Sequence, residues 1–266
     1  MRFDIMTLFP GLIESVLSES IIGRARRAGF ISVNTYNIRD YSRDKHHRVD
    51  DTPYGGGMGM LMMAPPVYDC YQAVLADKDG QSQVPTELRC EDEAQTEDIL
   101  PDEARDTQNV RTSERRRVIY MSPKGRVLTQ NRAAELASDY DRLIILCGHY
   151  EGIDQRVLDE IVDEDISIGD YVLTGGEIPA CILVDCVARL CPGVLADDAC
   201  FRDESLTDNL LEYPQYTRPY EFHGVKVPDV LISGHHANID KWRHEEALML
   251  TQAKRPDLLN REEEDC

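Results

Sequence analysis

The stretch from Ile144 to Ala180 constrains the fold most, because it holds two apolar runs that each end in a glycine-bearing loop. The first run, Leu143 to Cys147, is short and lacks polar alternation, which is typical of a buried parallel strand. Gly148–Gly152 follows it, and the run Ile166 to Ile168 is followed by the loop 169–176. Since ligands bind at the carboxyl ends of strands in open α/β sheets, the stretch predicts a ligand site. Two tight turns beside a helix start are the alternative.

A third predicted strand, Val118–Met121, ends in the glycine-bearing turn Ser122–Arg126. If the three strand ends meet at one sheet edge, their backbone amides and carbonyls form a shallow pocket that suits adenine and ribose. Neither GxGxxG nor GxxxxGK[ST] occurs, which disfavours dinucleotide and Walker-type phosphate sites. A nucleoside-like cofactor is therefore favoured over ATP.

The charge of the chain is acidic overall but unevenly distributed. The 266 residues carry a formal net charge of −20. Residues 24–48 are nevertheless basic, with Arg24, Arg26, Arg27, Arg39, Arg43, Lys45 and Arg48. Because a polyanion responds to local charge, a nucleic-acid partner is compatible with the sequence. The acidic segment 77–117 has few aliphatic residues and no sustained periodicity, so we expect a mobile insertion there.

The cysteines and the apolar runs indicate a cytoplasmic protein without a membrane partner. No CxxC pair occurs, and the five-residue spacing of Cys181, Cys186 and Cys191 turns successive side chains about 140° around a helix. Free thiols in a reducing compartment are therefore favoured over a metal or disulfide site. Asp4 and Pro10 interrupt the apolar N-terminus, and no apolar run approaches the length of a membrane span, so neither a signal peptide nor a transmembrane helix is expected.

Strand and helix patterns alternate through the first 190 residues, which predicts an α/β domain with a mostly parallel sheet. Further strands are expected at Phe3–Leu8 and Phe30–Ile38. A helix is expected over Met60–Ala76, with Pro65 and Pro66 near its start. Further helices are expected from Pro10, at Ile21–Arg27, at Gln130–Tyr140 and after Pro179. In the last of these, Asp185 and Arg189 are the only charges and predict a buried ion pair.

The polar loop Arg39–Met60 contains four glycines, Gly55, Gly56, Gly57 and Gly59. Glycine permits positive φ and close approach of a ligand to the backbone, so a phosphate- or base-binding loop is one interpretation. A mobile hairpin is the other. Beyond the helix after Pro179, the acidic, turn-rich residues 196–212 predict an interdomain linker, and 213–266 predict a small helical domain with a helix over Ile239–Leu259.

The motifs along the chain resemble those of the bacterial tRNA (guanine-N1)-methyltransferase family, the TrmD type. The matching segments are LFP (8–10), DDTPYGGGMGMLMM (50–63), SPKGR (122–126), CGHYEGIDQR (147–156), SIGDYVLTGGEIPA (167–180), VAR (187–189), LLEYPQYTRP (210–219), SGHH (233–236) and KWR (241–243). They cover most of the chain outside 77–117, in the expected order, and that insertion has no counterpart that we identify.

The resemblance implies a deep trefoil knot of the SPOUT class over residues 1–195, which bind S-adenosylmethionine. The cofactor-binding residues that it implies are Tyr120, Ser122, Pro123, Gly148, Tyr150, Glu151, Gly152, Ser167, Ile168, Gly169, Asp170, Tyr171, Val172, Leu173, Thr174, Gly175, Gly176 and Pro179. It leaves a magnesium-assisted step open, and it implies no metal ligand.

The resemblance also implies partners. The enzyme would be a homodimer with shared active sites that methylates guanosine 37 beside the tRNA anticodon. The linker 196–212 would close over the target base, and 213–266 would hold the tRNA. The implied substrate-binding residues are Asp50, Tyr54, Gly55, Gly56, Gly57 and Gly59, in a loop that holds a flipped guanine.

Methylation at guanine N1 requires a base for the N1 proton and a cation near O6, where charge develops. The resemblance gives the O6 role to Arg189. Glu204 aligns with the family's proposed base, an aspartate, and Asp203 is the rival. Smaller departures are His149 and Thr52, which stand where the family has arginine. A knotted RNA methyltransferase with another target and a non-catalytic RNA-binding relative are the alternatives.

Overall fold

The computed structural model describes residues 1–78, 80, 114–195, 205–206 and 209–259. The chain divides into two compact units, Met1–Leu195 and Ala196–Cys266. The elements of the first unit are β1 (Arg2–Thr7), α1 (Pro10–Leu17), α2 (Ser20–Arg27), β2 (Ser32–Asn37), β3 (Asp50–Asp51), β4 (Leu61–Met62), α3 (Ala64–Ala76), β5 (Arg116–Val127), α4 (Gln130–Asp139), β6 (Arg142–Cys147), α5 (Gln155–Ile161), β7 (Glu164–Ser167) and α6 (Glu177–Ala188).

A five-stranded sheet in the order β2-β1-β6-β5-β7 forms the centre of the first unit. All four strand pairings are parallel, so the predicted α/β class with a mostly parallel sheet is confirmed. The central strand β6 is buried at every residue, which explains its apolar sequence without polar alternation.

Helices cover both faces of this sheet. Leu143, Ile145 and Cys147 pack in one core with residues of α1, α2, α4 and α6. Ile144 and Leu146 pack in the other core with residues of α3 and α5. Because successive side chains of a strand point to opposite faces, one apolar run supplies both cores.

Helix α3 begins at Ala64, so the prediction of a helix from Met60 is wrong at its start. Pro65 and Pro66 lie in the first turn of α3, where a missing N–H removes no helical hydrogen bond. Leu61 and Met62 instead form β4, which pairs antiparallel with β3. The glycine-rich residues 52–60 therefore connect the two strands of a short hairpin.

Strand β5 extends beyond the predicted Val118–Met121 at both ends. Met121 and Arg126 both pair with Ile166, so the residues between them bulge out of the ladder with β7. A Cβ on Gly125 would overlap the backbone of Asp165, which explains the glycine in this bulge. Arg116 and Arg117 belong to this strand, so the last two residues of the expected mobile insertion 77–117 are part of the sheet. Residues 79 and 81–113 lie outside the described residues.

The helix α5 was not anticipated from the sequence. It begins after Asp154, whose side chain accepts a hydrogen bond from the backbone N–H of Arg156, and it buries Val157 and Ile161. Seven residues with one buried stripe give too weak a periodic signal for a helix prediction.

The second unit contains a hairpin of β8 (Glu221–Phe222) and β9 (Val225–Lys226), a 3₁₀ turn at Asp229–Ile232, and the helices α7 (His236–Lys254) and α8 (Pro256–Leu259). The predicted helix over Ile239–Leu259 is confirmed as α7 and α8, which are separated at Arg255 because the residue before a proline disfavours helix. The hairpin was not anticipated.

Candidate functional site

The carboxyl ends of β5, β6 and β7 lie side by side, because these strands are neighbours in a parallel sheet. Met121 of β5 pairs with Cys147 of β6, and the backbone N–H of Leu128 donates to the carbonyl of Ser167 at 2.8 Å. The three glycine-bearing segments named in the sequence analysis therefore meet at one edge of the sheet.

Two of these segments contact each other through their backbones. The N–H of Gly176 donates to the carbonyl of Gly148 at 2.8 Å, and His149 forms an isolated antiparallel bridge with Gly175. A Cβ on Gly176 would lie 2.8 Å from the Cα of Cys147, and one on Gly148 would lie 2.8 Å from the hydroxyl of Tyr120. A side chain at Gly176 would overlap backbone, and one at Gly148 would require the buried ring of Tyr120 to move, so the two glycines permit the close approach of these loops.

The residues expected to bind the cofactor differ in exposure. Those buried at the base of the edge are Tyr120, Ser122, Gly148, Ser167, Gly176 and Pro179. Those half-buried are Gly152, Ile168, Gly169 and Gly175, and those exposed are Pro123, Tyr150, Glu151, Asp170, Tyr171, Val172, Leu173 and Thr174. Burial raises the pKa of Tyr120, so its phenol keeps its proton. The arrangement is a buried floor of glycine backbone with an exposed rim.

A buried polar contact lies behind this floor. The hydroxyl of Thr7, at the end of β1, donates to the carboxylate of Glu177 at 2.8 Å, and both side chains are buried. A cavity of about 380 Å³ adjoins Glu177, and it is also lined by Leu12, Val172 and Ile178. The first turn of α6 is thus attached to the same sheet edge as the glycine loops.

The ring of His149 packs against the rings of Phe9 and Tyr150, each with a centroid separation of 5.0 Å. Its Nδ1 is buried and has no hydrogen-bond partner among the residues that the structure describes. A Cβ on Gly175 would lie 2.7 Å from this Nδ1, so the imidazole fills the space beside the glycine. His149 therefore acts in this structure as a packed aromatic ring.

The glycine loop expected to bind substrate lies next to the expected cofactor loop. The N–H of Glu151 donates to the carbonyl of Met60 at 3.0 Å, and the N–H of Met62 donates to the carbonyl of Gly152 at 2.9 Å. A Cβ on Gly59 would overlap the side chain of Glu151. Asp50 is half-buried, whereas Tyr54 and Gly55, Gly56 and Gly57 are exposed at the tip of the hairpin. The structure thus places the expected substrate loop against the expected cofactor loop.

Arg189 stands at the carboxyl end of α6 and is half-buried. Asp185 is exposed, so the expectation of a buried Asp185–Arg189 pair is wrong: one face of α6 is open rather than enclosed. The other two residues with expected catalytic roles, Asp203 and Glu204, lie outside the described residues.

Part of the basic stretch 24–48 is neutralised within the first unit. Arg26 pairs with Glu14 at 3.0 Å, Arg43 with Asp69 at 2.9 Å, and Arg48 with Asp44 at 3.2 Å. The positive charge of this stretch is therefore smaller than its composition indicates.

Neither a metal cluster nor a membrane helix is found in the described part of the chain. No group of three or more His, Cys, Asp and Glu side chains is arranged there to hold a metal ion. No helix there combines the length and apolarity needed to cross a bilayer.

Sequence reasoning missed Thr7, Phe9 and Glu177 as members of the site region. The available signal was the position of Thr7 as the last residue of β1 and of Phe9 just beyond it, since the carboxyl end of this strand lies at the same edge. Glu177 lies within the matched segment 167–180, but no role was assigned to it there.

Comparison with known proteins identifies similarity over almost the whole chain. Residues 1–90 and 99–261 match the family model described as tRNA (Guanine-1)-methyltransferase TrmD. Proteins named tRNA (guanine-N(1)-)-methyltransferase are 53% identical in Ruminiclostridium cellulolyticum (98% of this chain, 97% of the relative), 47% in Clostridioides difficile (99% and 100%) and 46% in Geobacter sulfurreducens (99% and 93%). Most of 77–117 is covered by the family match, so our statement that this insertion lacks a counterpart is wrong except for 91–98.

Proposed function

Because this chain belongs to the tRNA (guanine-1)-methyltransferase family of the TrmD type, we propose that it transfers a methyl group from S-adenosylmethionine to N1 of guanosine 37 in tRNA. The observation that carries the proposal is the family match over 1–90 and 99–261, combined with three glycine-bearing strand ends at one sheet edge. Since its substrate is tRNA, we place the protein in the cytoplasm.

The proposed fold of Met1–Leu195 is a trefoil knot of the SPOUT class. The contact of Gly176 with the backbone of Cys147 and Gly148 supports this proposal. A chain that passes through its own loop brings distant segments close together, and glycine permits such close backbone approach.

The sheet edge fits the proposed cofactor. S-adenosylmethionine, when bound, supplies a methyl group on a sulfonium. A nucleoside needs hydrogen-bonding backbone without obstructing side chains, and Gly148, Gly175 and Gly176 provide such a surface beside Tyr120. The exposed residues Tyr171–Thr174 form the rim from which apolar and polar contacts to the cofactor would come.

The proposed chemistry places base and cation on different parts of the chain. Glu204 accepts the N1 proton of guanine, with Asp203 as the rival base, and Arg189 stabilises the negative charge that develops at O6. Arg189 suits this role because its guanidinium keeps its charge at all working pH values.

Methyl transfer to tRNA transcripts from tritiated S-adenosylmethionine tests the assignment. We expect Glu204→Gln to lower kcat by roughly 100-fold or more, the usual contribution of a general base, and Asp203→Asn to stay near wild type. Full activity of Glu204→Gln would refute Glu204 as the base. Adding EDTA or Mg²⁺ to the same assay decides whether a metal assists.

The same assay separates the proposed function from its alternatives. A transcript with guanosine at 36 and 37 should accept methyl groups, and one with adenosine at 37 should not. Transfer to ribosomal RNA alone would indicate another knotted methyltransferase. Cofactor and tRNA binding without any transfer would indicate a non-catalytic relative.

An exposed apolar surface supports the proposed homodimer. Ile178 and Ile182 lie one turn apart on α6, and Leu12 and Val16 lie one turn apart on α1; all four are more than a third exposed. Leu12 and Ile178 line the same cavity, so the two helices present one continuous patch. Apolar patches of this kind mark protein interfaces. In the proposed dimer each active site is shared between the subunits.

The proposed tRNA contacts involve both units. Asp50, Tyr54 and the glycines of the β3–β4 hairpin would hold the flipped guanine, which must leave the anticodon stack for its N1 to be reached. The linker 196–212 would close over that base, and 213–266 would hold the anticodon region.

A further inference from the structure

A cavity lies at the hairpin of the second unit, within the residues 213–266 that the family resemblance assigns to tRNA, but the resemblance assigns no contact to the cavity itself. It has a volume of about 300 Å³ and is lined by the segment before the hairpin and by both of its strands. Tyr216, Tyr220 and Phe222 contribute aromatic rings to it, and His223 and Lys226 contribute polar groups. This hairpin cavity lies entirely within 213–228.

The aromatic rings are exposed far beyond what folding of the second unit requires. Phe222 is 65% exposed, and Tyr216 and Tyr220 are each more than two-fifths exposed. These three residues fall within seven positions, although aromatic residues make up only 7% of the chain, whereas the nearby Tyr213 is half-buried beneath the guanidinium of Arg243. Exposed apolar groups concentrated in this way indicate a binding surface.

Two of the rings are held in place before any ligand arrives. The hydroxyl of Tyr220 donates to the carboxylate of Asp229 at 3.1 Å. The ring of Phe222 meets the imidazole of His223 edge-on, with centroids 4.1 Å apart. Rings that are already oriented lose little conformational entropy when a flat ligand stacks on them.

One cationic side chain lies at the cavity itself. Arg218 and Lys226 are the basic residues of 213–228, and they are balanced by Glu221 and by Asp229, whose carboxylate accepts from Tyr220. Lys226 lies at the cavity, where its ammonium can reach a phosphate. Aromatic rings combined with local positive charge are the usual features of sites for single-stranded nucleic acid.

We propose that the hairpin cavity binds one unpaired nucleobase of the tRNA, by stacking on Phe222 and Tyr220, while Lys226 contacts a neighbouring phosphate. The inference rests on the proposed function in one respect, namely that the RNA bound at the cavity is tRNA. The site contributes to substrate affinity and takes no part in methyl transfer.

Binding of full-length protein to tRNA transcripts, measured by filter retention, tests the proposal. Phe222→Ala should weaken binding about ten-fold, the loss of one base–aromatic stack, and Phe222→Trp should restore it. The matched control is Met249→Ala, since Met249 is also an exposed apolar residue of this unit but lies outside the cavity. Thermal unfolding checks that each variant is folded; should Phe222→Ala not fold, Phe222→Ser and Lys226→Ala serve in its place.

A set of transcripts with one abasic nucleotide each identifies the stacked base. At one unpaired position, loss of the base should weaken wild-type binding and remove the difference between wild type and Phe222→Ala. Equal affinities of Phe222→Ala and wild type for every transcript would overturn the proposal. A ratio of wild-type to Phe222→Ala affinity that is the same for every abasic transcript would also overturn it. So would a Phe222→Ala variant whose sedimentation changes while its affinity for RNA does not.

The outcome is separable from the proposed function, because binding is measured without the cofactor. Absence of methyl transfer by the wild-type protein would refute the function and leave the binding result intact. Conversely, Phe222→Ala should raise KM for tRNA about ten-fold and leave kcat at saturating tRNA unchanged. A fall in kcat with an unchanged KM would contradict the role of the cavity in affinity.

Discussion

Asp4 of β1 and Arg142 of β6 form an ion pair with 2.5 Å between Oδ2 and Nε, and both side chains are almost completely buried. The pair lies at the amino end of the sheet, opposite the edge with the glycine loops. Arg142 also donates to the carbonyl of Val74 at 2.6 Å, so β1, β6 and α3 meet at one guanidinium.

Removing one partner of this pair should destabilise the protein strongly. Arg142→Met removes one of the two guanidinium groups that pair with the buried carboxylate of Asp4, while Arg2 remains with its Nε at 2.9 Å, so we expect the free energy of unfolding in urea to fall by about 1.5–3 kcal/mol, the loss of one hydrogen bond to a charged group. The control is Arg115→Met, since the pair of Arg115 with Asp141 is about half exposed and should contribute less than about 1 kcal/mol. Equal losses in the two variants would contradict this account.

The glycines at the site edge should tolerate no side chain. Gly176→Ala places a Cβ within 3 Å of the backbone of Cys147 and Gly148, and Gly148→Ala places one within 3 Å of the buried ring of Tyr120, so we expect both variants to lose stability and to bind S-adenosylmethionine at least ten-fold more weakly, with the larger effect at Gly176. Gly11→Ala is the control, because a Cβ there meets nothing within 4 Å. Isothermal titration calorimetry measures the affinity, and wild-type binding by Gly176→Ala would show that the loops are less constrained than described.

The exposed face of α6 should be needed for dimerisation. Ile182→Asp introduces a charge that the proposed interface cannot solvate, so this variant should sediment as a monomer where the wild type sediments as a dimer. Met249→Asp, on α7, should leave the dimer intact. A wild-type monomer, or a dimeric Ile182→Asp variant, would count against the proposed interface.

The imidazole of His149 should be replaceable by a phenyl ring. His149→Phe removes a buried Nδ1 that lacks a partner and keeps the packing against Phe9, so the free energy of unfolding should stay constant or rise by about 1 kcal/mol. The exposed His46 offers a control, since His46→Phe gains nothing by this mechanism. A clear loss of stability in His149→Phe would show that Nδ1 does have a partner in solution.

The thiol of Cys181 should be unreactive at ordinary pH. Burial raises its pKa to about 11, and the carboxylate of Glu177 adds to the rise. Because the thiolate forms only as the pH approaches this value, alkylation by iodoacetamide at pH 8 should be roughly 100-fold slower than for a free thiol. Peptide mass spectrometry measures the rate, and labelling in urea is the control. Rapid labelling of the native protein would contradict the burial of this residue.

Local patterns predicted most elements of the first unit, because the burial of alternate residues on a strand and of every third or fourth residue on a helix is visible in the sequence. Leu143–Cys147 is an example, since its apolar run became the fully buried β6. Short elements such as α5 and the β8–β9 hairpin were missed, because they bury too few side chains to leave a periodic signal.

The parallel sheet, the glycine-bearing loops at its strand ends and the family resemblance all follow from patterns along the chain. Which residues meet at those strand ends depends on contacts between distant segments. Thr7 and Glu177 are 170 positions apart and form a hydrogen bond because β6 pairs with both β1 and β5. Likewise, the exposure of Asp185 depends on which neighbours cover α6. Side-chain patterns record whether a residue is buried, but the identity of its partners depends on the order of the strands.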